Sequence, residues 1–292
     1  MKVLKYKKID AFVSEGSLGN PAACIYMDET PLPPDQMLAI ARQHKGFVSE
    51  MVYAGSSKVA DVKLTYYSSE GEVDFCGHGT IACMADLIKN TPELMVKREV
   101  SVETNKAGLI TVYNEMETTG DIFISAPEAR YIGTEVSAAG AADALELSES
   151  SISREYPIDL VSAGLRTLIV PVAGLQSEVE VFPNPQWLKD FCLTAGADIV
   201  LIWCRETADR AYAAHTRVFA PKYGYLEDPA TGSGNSAFGY YMMRHGLWDG
   251  SPIAIEQGGI DRIFNTIKLK AKDGRVLFGG GAAVRISGEY YL

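Results

Sequence analysis

Hydrophobic and polar residues alternate in short runs along most of the chain, and two longer stretches carry apolar residues at helical spacing. The first set is Ile81, Met84, Ala85 and Ile88, and the second is Phe238, Tyr241 and Met242. Intervals of three and four residues place side chains on one face of a helix. The pattern therefore predicts one amphipathic helix in each half of the chain.

A glycine-rich segment precedes each helix, Asp74–Ala82 in the first half and Pro229–Ala237 in the second. Aligned without a gap, Cys76 falls on Thr231, Gly77 on Gly232, His78 on Ser233 and Gly79 on Gly234. A turn of this kind points backbone N–H groups and the positive end of the helix dipole forward. The pair predicts two anion-binding helix starts facing a shared cleft. The alternative is that the glycines only allow helix and strand to pack closely.

The elements around these helices also repeat. Strands are predicted near residues 4–12, 22–26, 47–54, 61–67 and 199–204, and Val100–Val112 is typical of a hairpin. Ile255 and Glu256 fall on Val102 and Glu103, and matched landmarks lie 145 to 155 residues apart. The chain is therefore predicted to be a duplicated α+β protein, each copy being strands wrapped on one central helix.

The segment between the copies sets the predicted domain boundary. From about Asp121 to Ser153 the pattern shows no clear strand, and Val136–Ser151 has weak helical character. We place the junction at the beginning of this segment. The predicted domains are residues 1–120, to which residues 280–292 return, and residues 121–279.

Composition and charge narrow the functional classes. The 292 residues allow two domains of ordinary size, and 47% are hydrophobic and 22% charged, as in soluble globular proteins. No signal peptide is expected, and the apolar run Ile199–Cys204 is too short to span a membrane, so a cytoplasmic protein is expected. A formal charge of −10 disfavours nucleic acid and anionic membranes, but backbone dipoles can still hold a small anion.

Cysteines and histidines give no metal or disulfide signature. The five cysteines include no CxxC pair, and the four histidines form no HExxH motif. We therefore expect neither a metal site nor a disulfide framework.

Three residues are candidates for proton transfer in the cleft: Glu50, His78 and Asp228. Glu50 lies in the apolar strand segment 47–54, where a carboxylate is costly unless it is partnered or usefully protonated. The matching strand of the second half has no acid, which argues that Glu50 serves more than folding. An acid with a raised pKa beside a histidine and a second carboxylate is an arrangement that moves protons on a bound acid. The alternative is that Glu50 points to solvent.

Rival motifs are weak. Gly232–Ala237 matches the GxGxxA pattern, but no apolar strand precedes it, as nucleotide binding requires. Ser233 does not sit in the GxSxG elbow of serine hydrolases. Cys76 could be a thiolate, because a helix start lowers a thiol pKa, although its duplicate Thr231 cannot match it in acidity. The alternative for Cys76 is a small buried residue.

At these motifs the sequence resembles the phenazine-biosynthesis PhzF-like family of the diaminopimelate epimerase superfamily. The resemblance is carried by Gly19–Ala22, Ser49-Glu50, Cys76–Thr80, Glu227–Ser233 and Gln257-Gly258, in family order over almost the whole chain. It implies two similar domains, each a β-barrel-like sheet around a central helix, with a cleft between them and commonly a homodimer. It also implies an isomerase that shifts a proton on a small carboxylate substrate without a cofactor.

The resemblance also implies roles for individual residues. Glu50 matches the proton-transferring acid, with His78, Asp228 and Ser233 as supporting residues. Substrate contacts are expected from the motif residues Asn20, Cys76, Gly77, Gly79, Thr231, Gly232 and Ser233. Gly79 stands where alanine is usual, so the substrate is left open. Two alternatives remain: a Cys76-dependent racemase or epimerase, and a non-catalytic binder of small acids.

Overall fold

The computed structural model describes residues 2–27, 30–259 and 263–292 and divides into two compact units. The first unit comprises Met1–Val13, Leu18–Ser125 and Gly279–Leu292. The second comprises Ser14–Ser17 and Ala126–Phe278. Each unit combines strands and helices, which confirms the predicted α+β class.

The first unit contains nine strands and three helices among the described residues. Its strands are β1 (Val3–Ala11), β2 (Asn20–Tyr26), β3 (Glu50–Gly55), β4 (Val62–Tyr67), β5 (Glu72–Val73), β6 (Glu99–Thr104), β7 (Gly108–Glu115), β8 (Asp121–Ser125) and β18 (Ala282–Tyr291). Its helices are α1 (Pro34–Gln43), α2 (Gly77–Asn90) and the short α3 (Pro92–Met95).

The strands of this unit follow one pairing order. β1 is antiparallel to both β18 and β2, β2 is parallel to β3, and β3 is antiparallel to β4. β4 pairs with β5 antiparallel and with β6 in parallel, and β6, β7 and β8 continue antiparallel. The β6–β7 pairing confirms the predicted hairpin.

Helix α2 lies against these strands and is buried on nearly every side. It packs on β1, β2, β3, β8 and β18, and its residues from Gly79 to Asp86 are all buried. A helix that is apolar all round needs such a covering. Helix α1 covers the other face of the sheet, where Met37 and Ile40 pack with Met51 and Tyr53.

The second unit has its own set of elements. Its strands are β9 (Arg130–Tyr131), β10 (Asp159–Ser162), β11 (Arg166–Pro171), β12 (Ile199–Cys204), β13 (Ala214–Phe219), β14 (Glu227–Asp228), β15 (Ile253–Gln257), β16 (Asn265–Lys272) and β17 (Arg275–Gly280), whose last two residues belong to the first unit. Its helices are α4 (Ala138–Ala144), α5 (Leu175–Val179), α6 (Pro185–Ala195) and α7 (Gly232–Arg244).

Strand pairing in the second unit repeats that of the first. β10, β11, β12, β13, β14, β15 and β16 pair as β1, β2, β3, β4, β5, β6 and β7 do, with the same parallel and antiparallel steps. The registers agree as well: Val62 lies opposite Val102 in one unit, and Ala214 lies opposite Ile255 in the other. Helix α7 packs on β10, β11, β12 and β16, as α2 packs on its own strands. The predicted internal duplication is therefore visible in the hydrogen-bonding pattern.

The prediction that residues 121–153 hold no strand is wrong. β8 and β9 lie in this stretch, and Asp121–Ile124 is buried on both faces of the sheet. Burial on both faces removes the alternation by which a half-exposed strand is detected.

Across the described ranges, no helix combines the length and apolar character needed to cross a membrane.

Candidate active site

Cys76 begins helix α2 and shapes its first turn. Its backbone is extended, with φ −132° and ψ 108°, and its Sγ accepts a hydrogen bond from the Gly79 N–H at 3.3 Å. A side chain on Gly79 would place its Cβ 2.8 Å from Val52 Cγ2 and 2.9 Å from the Cys76 sulfur. Glycine is therefore required at position 79. The N–H groups of Gly77 and His78 lie in the first turn of α2, where a helix offers no acceptors of its own for them.

Glu50 faces this turn from the neighbouring strand. It is the first residue of β3 and lies opposite Ala22 of β2. Because strand side chains alternate, and Met51 and Tyr53 pack against α1, Glu50 and Val52 point toward α2. The alternative that Glu50 points to solvent is therefore wrong, since its side chain is only 18% exposed.

The Glu50 carboxylate and the His78 ring form a close pair. Glu50 Oε2 lies 3.2 Å from His78 Nε2, and the His78 side chain is 12% exposed. The buried Oε2 makes this contact as an ion pair rather than as a well-aligned hydrogen bond. The Ser49 hydroxyl lies 3.3 Å from the same Nε2. Two residues 28 positions apart in sequence are thus joined at the start of α2.

The pair stabilises its own charges. Burial raises the pKa of Glu50, but His78 and the Ser49 hydroxyl outweigh burial and hold it below its usual value. Burial lowers the pKa of His78, but the Cys76 sulfur and the Glu50 carboxylate raise it well above 6.5. The expectation of a raised Glu50 pKa is therefore wrong, because an opposite charge within about 4–6 Å favours ionisation. Glu50 rests as a carboxylate beside an imidazolium.

Cys76 is a thiol at rest. Burial raises its pKa above the usual value, and the Glu50 carboxylate adds to this rise, while His78 and the Gly79 N–H oppose it. Of the two alternatives for Cys76, the small buried residue is favoured over the thiolate, because desolvation of this 5% exposed residue is the largest effect on its pKa. Its sulfur nevertheless lies 3.6 Å from His78 Nδ1 and 3.8 Å from Nε2.

Asn20 belongs to the same unit. It is the first residue of β2, is 1% exposed, and pairs with Ala11 of β1. It stands two positions before Ala22, which lies opposite Glu50. The preceding Gly19 has φ +74°, and a Cβ on it would lie 2.6 Å from the Ala11 carbonyl oxygen, so glycine fixes the turn into β2.

Helix α7 of the second unit begins with a different arrangement. The Thr231 hydroxyl donates to Asp228 Oδ2 at 2.5 Å instead of capping the helix. Gly232 follows, where a Cβ would come within 2.4 Å of the Phe278 ring. Ser233 is half-buried in the first turn, and Asp228 is half-buried in β14. This helix start is polar. The first residue of β12, which packs against it, is the buried Ile199, whereas the first residue of β3 is Glu50.

Gln257, which was not among the predicted site residues, organises the α7 start. Its Oε1 accepts from the Thr231 N–H at 2.9 Å and from Asn235 Nδ2 at 2.8 Å. Its Nε2 donates to the Asp228 carbonyl at 2.7 Å and to the Thr231 hydroxyl at 3.1 Å. The signal in the sequence was an amide, beside Glu256, at the end of an otherwise apolar strand. Ser49, whose hydroxyl lies 3.3 Å from His78 Nε2, was also not predicted as a site residue.

The predicted site residues fall into two sets. Asn20, Glu50, Cys76–Gly79 belong to the first unit, and Asp228, Thr231–Ser233 to the second. The structure joins Glu50, His78 and Cys76 in the first and Asp228 with Thr231 in the second. Glu50, Cys76 and His78 each offer one potential metal-ligand atom, and these atoms all lie within 4.8 Å of one another. No metal site was expected from the sequence, because the three residues form no sequential metal motif.

A family model described as phenazine biosynthesis-like protein matches residues 9–289. The chain is 29% identical over 264 residues to the uncharacterized isomerase YfhB of Bacillus subtilis, covering 88% of this chain and 87% of that protein. It is 29% identical to the trans-2,3-dihydro-3-hydroxyanthranilate isomerase of Pseudomonas fluorescens, covering 87% of this chain and 85% of that protein.

Solved structures show the same fold. The phenazine biosynthesis protein of the PhzF family from Bacillus anthracis superposes with a TM-score of 0.85 at 26% identity, with all of both chains covered. A probable proline racemase from Agrobacterium radiobacter superposes with a TM-score of 0.65 at 12% identity, covering 99% of this chain and 92% of that one. The second likeness concerns the fold alone.

Proposed function

Because this chain belongs to the phenazine biosynthesis-like protein family and is an isomerase, we propose that it moves a proton between carbon atoms of a small carboxylate substrate, with Glu50 carrying the proton. The observation that carries this proposal is the 3.2 Å contact between Glu50 Oε2 and His78 Nε2. A carboxylate held ionised and partly buried beside an imidazolium is ready to accept a proton. No cofactor is needed for such a shift.

In this mechanism Glu50 acts first as the base. It takes a proton from a substrate carbon next to an unsaturated or carboxylate group, and the electron pair spreads into that group. The protonated His78 and the N–H groups at the start of α2 lie on the same turn and stabilise the negative charge that develops. The protonated Glu50 then delivers a proton to another carbon, so that atoms and charge balance. Exchange of the carboxyl proton with solvent before this delivery introduces deuterium in heavy water. Asn20 and Cys76 border this turn as substrate contacts.

The start of α7 has the second role in the proposal, holding the substrate carboxylate. Its first-turn N–H groups, at Gly232 and Ser233, give an anion site of the kind found at helix starts. Thr231 and Asp228 fix the turn through their 2.5 Å hydrogen bond. The proposal requires that the two helix starts face one cleft.

We also propose that the protein is a cytoplasmic homodimer. Light scattering should then give twice the mass of one chain.

The test is hydrogen exchange in heavy water. Trans-2,3-dihydro-3-hydroxyanthranilate and a panel of cyclic and amino acids are incubated with the protein, and deuterium uptake is followed by mass spectrometry. Glu50→Gln should slow uptake by about 10² to 10⁴-fold, the usual contribution of a positioned acid or base. Ile199→Val, at the equivalent position of the second unit, is the control and should retain uptake.

Two results would remove Glu50 from this role. One is uptake that Glu50→Gln leaves undiminished, and the other is its abolition by Cys76→Ser with Glu50→Gln still active, which would indicate a cysteine-dependent epimerase. Ligands that raise the melting temperature of the protein without any exchange would indicate a non-catalytic binder of small acids.

A further inference from the structure

Glu50, Cys76 and His78 form a compact set of unlike donors, which we call the Glu-Cys-His cluster. It offers a carboxylate oxygen, a sulfur and a ring nitrogen, with every pair of ligand atoms within 4.8 Å. The Nε2–Oε2 distance is 3.2 Å and the Sγ–Nε2 distance is 3.8 Å. Proton transfer by Glu50 makes no use of this combination, since it requires no sulfur.

These distances are close to the edges of a zinc coordination tetrahedron. Zinc lies about 2.3 Å from sulfur, about 2.0–2.1 Å from nitrogen and about 2.0–2.2 Å from oxygen. At the tetrahedral angle these lengths separate sulfur from nitrogen by about 3.6 Å and nitrogen from oxygen by about 3.4 Å. The two measured separations differ from these edges by about 0.2 Å. The third pair, sulfur and the carboxylate oxygen, lies within 4.8 Å, against an ideal edge of about 3.6 Å, so zinc binding requires the Glu50 side chain to move toward Cys76.

The donor set also selects the metal. Magnesium and calcium take oxygen ligands, whereas thiolate and imidazole suit zinc and its neighbours in the first transition series. Access is available, since the Glu50 and His78 side chains are 18% and 12% exposed. Three protein ligands leave the fourth position for water, as in zinc sites that are not closed.

We propose that the Glu-Cys-His cluster binds one zinc ion per chain and that this ion inhibits the enzyme. Binding forms bonds from zinc to Sγ, Nε2 and a Glu50 oxygen, and the protons of the thiol and of the imidazolium are released to solvent. The Ser49 hydroxyl gives up its contact with Nε2. Inhibition rests on the proposed function, because zinc occupies the carboxylate that would carry the proton; binding itself does not.

The experiment uses the full chain after removal of metals by a chelator. Zinc binding is measured by competition with a chromophoric chelator, and Co²⁺ serves as the spectroscopic probe. One zinc per chain is expected. Cys76→Ala and His78→Ala should each weaken binding by about tenfold or more, since even outer contacts of zinc ligands are worth that order. Cys192→Ala, a buried cysteine of the second unit, is the matched control and should bind as the parent does.

Cobalt should give a thiolate charge-transfer band that Cys76→Ala removes and Cys192→Ala keeps. Circular dichroism of each variant checks folding. The absence of stoichiometric zinc, equal binding by the parent and Cys76→Ala, or a cobalt spectrum without the thiolate band would overturn the site. Exchange that zinc accelerates would overturn the inhibition. If zinc binds as expected and no substrate exchanges, the proposed function fails while the zinc site stands.

Discussion

The two units place different chemistry on the same scaffold. Both begin their buried helix after a strand pair of the same order, and both have glycine at the first and third helical positions. In the first unit Glu50 and His78 form an ion pair there. In the second, the equivalent residues are Ile199 and Ser233, and the polar groups are fixed by Gln257. The duplicated scaffold thus has two glycine-rich helix starts: one carries the Glu50–His78 ion pair, and the other carries a hydrogen-bonded network of Asp228, Thr231 and Gln257.

The difference between the two units can be tested by introducing an acid at the equivalent position of the second unit. Ile199 is 2% exposed and starts β12 as Glu50 starts β3. Ile199→Glu buries a carboxylate without a cation beside it, and we expect a loss of stability of about 3–5 kcal/mol, the order found for unpaired buried charges. All three tryptophans, Trp187, Trp203 and Trp248, lie in the second unit, so fluorescence during urea unfolding reports on it.

A second substitution tests whether the histidine is the missing partner. Adding Ser233→His to Ile199→Glu should recover part of the loss, with a coupling of about 0.5–3 kcal/mol as for contacting residues. Glu50→Ile is the reverse exchange, and it should leave the tryptophan-detected transition in place. Additive effects of the two substitutions in the second unit would show that these positions do not correspond to the Glu50–His78 pair.

The next largest effect is expected from the amide that organises the second helix start. Gln257→Leu removes the hydrogen bonds that Gln257 makes with the Thr231 N–H, the Asn235 amide and the Asp228 carbonyl. Each unsatisfied buried group costs about 1–3 kcal/mol, and we expect a total of about 2–4 kcal/mol after relaxation. The urea midpoint seen by tryptophan fluorescence measures it.

Thr104 is the matched position in the first unit, since it lies opposite Leu64 as Gln257 lies opposite Thr216. Its hydroxyl donates to the Gly108 carbonyl at 2.9 Å. Thr104→Val should therefore cost about 0.5–1.5 kcal/mol, the value of one ordinary hydrogen bond. Equal losses at Gln257 and Thr104 would contradict the view that the second helix start depends on a dedicated amide.

A smaller difference is expected between the third helical positions. Gly79→Ala forces a Cβ to 2.8 Å from Val52 Cγ2, whereas Gly234→Ala has its nearest neighbours at 3.3 Å. Overpacking costs about 1–3 kcal/mol, while alanine returns up to about 1 kcal/mol in helix propensity. We expect Gly79→Ala to lower the melting temperature and Gly234→Ala to leave it nearly unchanged. Adding Val52→Ala should relieve Gly79→Ala, and failure to do so would place the strain elsewhere.

The sequence was sufficient for features that repeat along the chain. Both glycine-rich helix starts and the match of Ile255 to Val102 were predicted and are confirmed by the strand registers. Glycine at position 79 also has a physical reason, because Val52 fills the space that an alanine methyl would need.

Distances between side chains could not be predicted in this way. The pKa of Glu50 was expected to be raised, because its strand is apolar, and the opposite direction follows from one imidazole 3.2 Å away. The apolar residues of its strand favoured the prediction that Glu50 is buried. The position of His78 beside it depends on tertiary packing, which the local sequence does not reveal. The same holds for Gln257, whose four partners come from Asp228, Thr231 and Asn235.

The smallest effect concerns protonation of the first helix start. We expect the pKa of His78 to lie above 6.5 by NMR titration of its ring and to fall in Glu50→Gln, because the opposing carboxylate is lost. A raised histidine pKa stabilises the fold fully below 6.5, and this contribution is lost as pH rises through the folded value. The lowered pKa of Glu50 contributes fully above 4.5 and is lost as pH falls through its folded value. The stability difference between the parent and Glu50→Gln should therefore be largest between pH 4.5 and 6.5. A His78 pKa at or below 6.5, unchanged in Glu50→Gln, would show that the two helix starts do not differ in charge.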